Sequence, residues 1–322
     1  MVKKIFISFL LLVIIAGLSV FAFIYSNNQP VSQDKSSKVF TIKSGEGIKS
    51  VAQKLQENNL IKNKYVFLFY SYRLALNQKI QAGNFKISPN LTTQEVVVKL
   101  SKGGVTDYWV KILEGLRIEE LTDIFPDDSP IKSADFTKAA KSKEGYIYPD
   151  SYLIPQYFTL DQVLSTIQTN FDKKFAQAKV GATNTQMTDK QILVLASIIE
   201  HEARTLKVKQ GVSGVLINRL NANMPLQSDV TVQYARDSKN KPTKYWVDLA
   251  AADIKSTISP YNTYLNTGLP PAPICNPGYD SIYAAFHPTE SDYIFYLTGD
   301  DGIMHYATTL SEHNSNIAKY LK

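Results

Sequence analysis

Two glutamates break into an apolar stretch at 192–206, and their surroundings differ in the way acid–base chemistry requires. Glu202 has Ile198 four residues back, Ile199 three back and Leu206 four on, with no cation at helical spacing. An apolar setting of that kind raises a carboxyl pKa, as a general acid working near neutral pH needs. Glu200 has Arg204 four residues on, the favourable order for a helical ion pair, which would hold it ionised. The spacing therefore predicts Glu202 as the acid and Glu200 as its charged structural neighbour. The opposing reading is that both are solvated charges at a helix end.

Further along, Pro225-Leu226-Gln227-Ser228-Asp229-Val230-Thr231 places four hydrogen-bonding side chains within five residues. Other sites are excluded. His201-Glu202 is not a zinc-protease motif, because position 205 is Thr where the second His would stand. Four His and one Cys give no convincing metal set. No P-loop, no G-x-G-x-x-G after a strand and no G-x-S-x-G elbow is present. No cofactor is expected. Cys275 has no activating neighbour and reads as filler. What remains is carboxylate chemistry on a polar polymer. Glycosidases pair two carboxyl groups, and Asp229 or Glu200 would be the second. One glutamate suffices if the substrate carries a hydroxyl that attacks intramolecularly. Tyr146, Tyr148 and Tyr152 beside Glu144 and Asp150 suit either a sugar-stacking cleft or aromatic core packing.

The elements that must position these groups begin with a helix opened by Thr188 and Gln191, a capping-box pair, and buried nearly all round. A second helix follows to Leu220. Upstream, Ile5–Ile24 is 20 residues without a charge, preceded by Lys3 and Lys4. That is long enough to span a bilayer, and the lysines place residues 1–4 in the cytoplasm and the remainder outside. Residues 25–37 read as a linker. Residues 38–104 read as a small α+β unit in the order strand, helix, helix, strand, helix. Residues 105–322 form a larger mixed α+β domain. It should open with a strand over 105–112, a turn at Glu114-Gly115 and a helix over 117–125, and close with a hairpin near Asp300-Asp301-Gly302 and a last helix. The fold class is α+β behind a transmembrane helix.

The chain has 322 residues, enough for two domains, with 44% hydrophobic and 20% charged residues, an ordinary globular composition. A net charge of +6, two units of it from Lys3 and Lys4, leaves a mildly basic ectodomain. There is no basic–aromatic pattern for nucleic acid.

Ala-Ser-Ile-Ile-Glu-His-Glu-Ala (196–203), Val-Leu-Ile-Asn-Arg-Leu (215–220) and Met-Pro-Leu-Gln-Ser-Asp-Val-Thr-Val-Gln-Tyr-Ala (224–235) resemble the membrane-anchored endolytic murein transglycosylase family (YceG-like). So do Ser-Pro-Tyr-Asn-Thr-Tyr (259–264), Gly-Leu-Pro-Pro-Ala-Pro-Ile (268–274), Asn-Pro-Gly (276–278), and His305 with Glu312-His313-Asn314. The resemblance implies cleavage of nascent peptidoglycan strands within the chain, leaving 1,6-anhydro-muramyl ends. It implies Glu202 as the catalytic residue, being the second of the Glu-x-Glu pair. It places Glu200, Asn218, Arg219, Gln227, Ser228, Asp229, Thr231, Tyr261, Asn262 and Tyr264 as candidate glycan-binding residues. It also implies a LysM-like module over 38–104, peptidoglycan as the substrate partner, and contacts with the cell-wall synthesis machinery. Val230 stands where the family usually has Pro, His201 where Lys is usual, and Tyr306 where Phe is frequent. The alternatives are a hydrolytic muramidase using Glu202 and Asp229, and a non-catalytic cell-wall scaffold.

Overall fold

The first helix, α1 (Val2–Asn28), is apolar through most of its length and opens the chain. The computed structural model describes residues 2–43, 45–104, 107–127 and 129–321, with side chains from Phe6 onward. The turn residue Ser44 and the expected strand start at Val105 and Thr106 lie outside the described residues. Phe6–Asn28 is long and apolar enough to cross a membrane. The helix runs past Ile24 into residues expected to be linker. Its end is held there by tertiary bonds: Thr93 donates to the Asn27 carbonyl at 3.1 Å and Gln94 N to Asn28 Oδ1 at 3.0 Å. The rest of the expected linker is also tied down, with Val31 N and Ser32 N bonded to the Pro89 carbonyl.

Two compact units divide the chain. The first, residues 1–108 with 155–157, adds β1 (Lys38–Ile42), α2 (Ile48–Glu57), α3 (Lys64–Arg73), β2 (Gly83–Ile87) and α4 (Thr93–Ser101). The strands pair antiparallel, Phe40 opposite Phe85. Asn63 caps α3, and a Thr92–Glu95 capping box opens α4. Phe40, Ile42, Val51, Leu55, Phe67, Phe85, Val96 and Leu100 form its core.

The second unit spans 109–154 and 158–322. It contains β3 (Tyr108–Lys111, whose first residue clusters with the first unit), α5 (Ser133–Ala140), β4 (Ser151–Ile154), α6 (Leu160–Lys179), α7 (Asp189–Glu202), α8 (Leu206–Asn221) and α9 (Asp229–Asn240). α10 (Ala251–Ser256), α11 (Tyr279–Phe286), β5 (Phe295–Thr298), β6 (Met304–Ala307) and α12 (Leu310–Tyr320) complete it. β3 pairs with β4 and β5 with β6. The expected helix over 117–125 is only a 3-10 turn at Ile118–Glu120. Two side chains fix the start of this turn. Glu144 accepts from Ile118 N, and the fully buried Arg117 lies over the Tyr234 ring at 4.2 Å.

α7 is the axis of this unit. Every residue from Ile192 to Ile199 is buried, and α8, α9 and α11 pack around it. The Thr188–Gln191 capping box is present. Tyr148 and Tyr152 belong to core packing, with Tyr152 OH donating to the Tyr148 carbonyl at 2.8 Å. Buried Asn276 knots three segments. Its Oδ1 accepts from Gly145 N (2.9 Å) and Ile147 N (3.0 Å), while Nδ2 donates to the Leu116 carbonyl (2.9 Å). Gly145, at φ 87°, makes the turn there, and a Cβ would meet Pro273 at 2.6 Å.

Asn276→Ala strands the buried N–H groups of Gly145 and Ile147, while the Leu116 carbonyl keeps its bond from the backbone N–H of residue 276. It should cost about 3 kcal/mol in chemical denaturation.

Candidate active site

A pocket of about 410 Å³ in the second unit is lined by Glu202, Arg219, Leu226, Gln227, Asp229, Tyr264, Phe295, Tyr296, Leu310 and His313. Glu202 enters it because α7 ends there: Ala203 is already extended at φ −149°. The same ending removes the expected Glu200–Arg204 pair, since Arg204 is no longer at helical spacing and lies exposed. Glu200 instead meets Lys209 of α8 at 3.0 Å, with both side chains buried. Its other oxygen accepts from Gly278 N at 2.8 Å, at the start of α11. Glu200 is thus a clamp between three helices and does not line the pocket.

The Glu202 carboxyl is held by Ser228 Oγ at 2.5 Å and is hydrogen-bonded to the Tyr296 hydroxyl. Burial raises its pKa above the usual glutamate value. The Ser228 and Tyr296 bonds pull it partly back, and the charge of Asp229 adds to the rise. Asp229 opens α9, where a carboxylate suits the helix N-terminus, and accepts from Tyr264 OH at 2.6 Å. The helix α9 was not anticipated from the sequence. Val230, in its first turn, is buried in the core cluster, so the helix is seated without the Pro usual there.

Arg219 braces the far wall. Its Nε donates to the Ile294 carbonyl (2.6 Å), and Nη1 donates to the Leu226 carbonyl (2.9 Å) and Gln227 Oε1 (3.2 Å). Its guanidinium lies over the Phe295 ring at 5.2 Å. Gln227 takes a φ of 53°, an uncommon conformation for a non-glycine residue, and its N–H donates to the Thr263 carbonyl.

The pocket therefore brings together Glu202, Arg219, Gln227, Asp229 and Tyr264, with Ser228 bonded to the carboxyl. Four other candidates sit behind it or away from it. Asn218 donates to the Ser291 and Tyr293 carbonyls. Thr231 is buried and bonded to the Ser228 carbonyl and to Thr263. Tyr261 packs against Tyr234, the rings tilted by 46° with centroids 4.9 Å apart. Buried Asn262 fixes its loop through the Ile254 and Thr257 carbonyls. These residues shape the wall and do not line it. Sequence reasoning missed Leu226, Phe295, Tyr296, Leu310 and His313 as wall residues. The motif containing His313 was visible, but nothing along the chain indicates that the hairpin β5–β6 carries Tyr296 to Glu202. Among the described residues, no group of three or more His, Cys, Asp or Glu side chains is placed to hold a metal ion.

Fold and pocket together define an α+β protein with two carboxyl groups, Glu202 and Asp229, in a polar groove. The YceG-like family is matched over residues 40–319, and this chain belongs to it. A Bacillus subtilis protein named endolytic murein transglycosylase is 28% identical over 333 residues, covering 93% of this chain and 90% of that one. A Streptococcus pneumoniae protein of the same name is 25% identical over 365 residues, and the alignment takes in 99% of this chain but 66% of that relative's length. A 2.6 Å crystal structure of a YceG-like protein from Listeria monocytogenes matches with a TM-score of 0.55 at 28% identity, covering 87% of this chain and 99% of that one.

Lys209→Met leaves Glu200 buried without its cation and should cost about 3–5 kcal/mol of stability. Adding Glu200→Gln should recover much of that loss in the same denaturation assay.

Proposed function

We propose that this chain is an endolytic lytic transglycosylase that cuts peptidoglycan glycan strands between MurNAc and GlcNAc. The observation that carries the reading is the Glu202 carboxyl: raised in pKa by burial, and set in a polar groove beside Ser228, Tyr296 and Asp229. The names of the Bacillus and Streptococcus relatives support it.

Glu202 starts as the neutral acid. It gives its proton to the glycosidic oxygen of the departing GlcNAc as the bond to the muramyl C1 breaks. The Ser228 and Tyr296 hydroxyls favour the carboxylate that results, because hydrogen bonds to the charged form stabilise it. That carboxylate then takes the proton of the muramyl C6 hydroxyl while O6 bonds to C1. A 1,6-anhydro ring closes, Glu202 is again protonated and no water is consumed. The attack is intramolecular and gains from proximity. Asp229 offers a negative charge near the developing cationic sugar, and in a hydrolytic muramidase it would serve as the second carboxylate. Arg219, Gln227 and Tyr264 are proposed to hold the glycan.

We also read α1 as a single-pass anchor with its N-terminus in the cytoplasm, on the strength of its apolar length and the preceding lysines. Residues 38–104 of the first unit are proposed to be a LysM-like glycan-binding module, supported by their two strands and three helices and by the resemblance of the sequence. Partners in cell-wall synthesis would fit enzymes that act on nascent strands.

Glu202→Gln should lower the release of anhydro-ended fragments from sacculi by about 100- to 10,000-fold. Mass spectrometry reads the chemistry directly, because an anhydro end is one water lighter than a reducing end. Parent protein that yields only reducing ends would replace this reading with the muramidase.

The alkaline limb of the rate profile reports the pKa of the acid. Ser228→Ala removes a bond that lowers the Glu202 pKa, so the limb should move to higher pH. Asp229→Asn removes a charge that raises it, so the limb should move to lower pH. Initial rates across pH 5–9 would check both signs, where about one pH unit corresponds to 1.4 kcal/mol.

A further inference from the structure

The last turn of α1 is docked on its own unit. Ile24, Asn27 and Asn28 are half-buried, whereas residues 6–23 are exposed. α3 and α4 pack against α1, and the α4 N-terminus is bonded to Asn27 and Asn28. The apolar run Ile5–Ile24 gives way after 20 residues to the polar Ser26-Asn27-Asn28-Gln29, and 20 residues of helix are about the 30 Å of a hydrocarbon core. Asn28 is four residues beyond Ile24, about 6 Å along the helix, which is about the depth of one headgroup layer. An element packed on this turn is therefore at headgroup depth.

α3 meets that position with an unusual surface. Tyr65, Phe69 and Tyr72 recur at helical spacing and are 66%, 37% and 58% exposed, opposite the buried Val66, Phe67 and Ser71. Cations flank them, Lys64 over the Tyr65 ring at 5.3 Å and Arg73 over Phe69 at 5.8 Å. Aromatic rings with a polar handle, bordered by Lys and Arg, are the side chains that settle at a membrane–water boundary. Beside Asn28, α4 borders a groove of about 610 Å³ carrying the exposed Lys99 and Lys102. The one acid in it, Glu95, is turned onto Thr92 N and Oγ1 at 2.8 Å, so the groove offers its free charge as cation.

We propose that α3 and α4 form a membrane-seating surface. The row Tyr65–Phe69–Tyr72 lies in the leaflet from which α1 emerges, and Lys99 and Lys102 face lipid phosphates. The occupant is the bilayer because the patch is continuous with the spanning helix. This rests on α1 being a membrane anchor. The surface would fix the first unit against the membrane, so that the anchor acts as a rigid mount and not as a tether.

The test uses the full chain in phosphatidylglycerol–phosphatidylcholine vesicles whose acyl chains carry bromine near the carbonyl. Tryptophan is placed singly at Phe69→Trp, at Phe21→Trp within the span, and at Lys49→Trp on the exposed face of α2. The parent's two tryptophans, Trp109 and Trp246, provide the background to subtract. Emission from Phe69→Trp should be lost to the brominated lipid and spared by aqueous iodide, as for Phe21→Trp, whereas Lys49→Trp should show the reverse. Iodide quenching of Phe69→Trp with bromine quenching of Phe21→Trp would overturn the seating surface and leave the anchor standing. Shielding of Phe69→Trp from both quenchers would assign the patch to a second copy of the chain and also overturn it. Failure of bromine to quench Phe21→Trp would remove the anchor itself.

Discussion

The structure depends on one constraint: a carboxyl at the end of a helix whose middle is buried all round must still reach a groove. α7 meets it by ending abruptly. Ile192 to Ile199 are enclosed, and the chain turns extended at Ala203 just after Glu202. One turn more of helix would leave Arg204 at ion-pairing distance along the face of Glu200. The early ending instead separates the two glutamates into unlike environments.

That separation is electrostatic. Glu200 is buried but matched by Lys209 and by the first amide of α11. Glu202 has no cation, only hydroxyl donors and the repulsive charge of Asp229. A buried charge without a counter-ion is expensive, so the protonated form gains. Two residues apart on one helix, identical side chains therefore sit in opposite settings: one matched by a cation, the other held by hydroxyls beside a like charge. The hydroxyls pull the raised pKa of Glu202 partly back, so that the charged form is not excluded.

The wall around Glu202 is built by residues that do not face the groove. Thr231 and Thr263 bond each other and hold Ser228 in place, Asn262 pins its loop, and Asn218 holds the segment that leads into β5. Arg219 joins both sides, gripping the loop before α9 and the chain entering β5. The dense polar motif at 225–231 is thus split between the groove and its scaffold. Polar residues in one short stretch share a chain direction, but a helix start turns successive side chains to different faces.

Taken alone, the sequence determined what depends on local chemistry. The capping boxes at Thr92 and Thr188, the helices they open, the apolar span and the hairpin at 295–307 all follow from neighbours within a few residues. The family motifs were legible too, because they are matters of residue order. Tertiary structure alone decided what depends on distant partners. Lys209 replaced Arg204 as the mate of Glu200, the buried Arg117 and Glu144 fixed the start of a single turn where a helix was expected, and α1 was extended by bonds from Thr93 and Gln94. Tyr296 reached the carboxyl from nearly a hundred residues away along the chain. The physical reason is the same in each case: hydrogen bonds and ion pairs act through space over a few ångströms, and only the packed fold decides which side chains come that close.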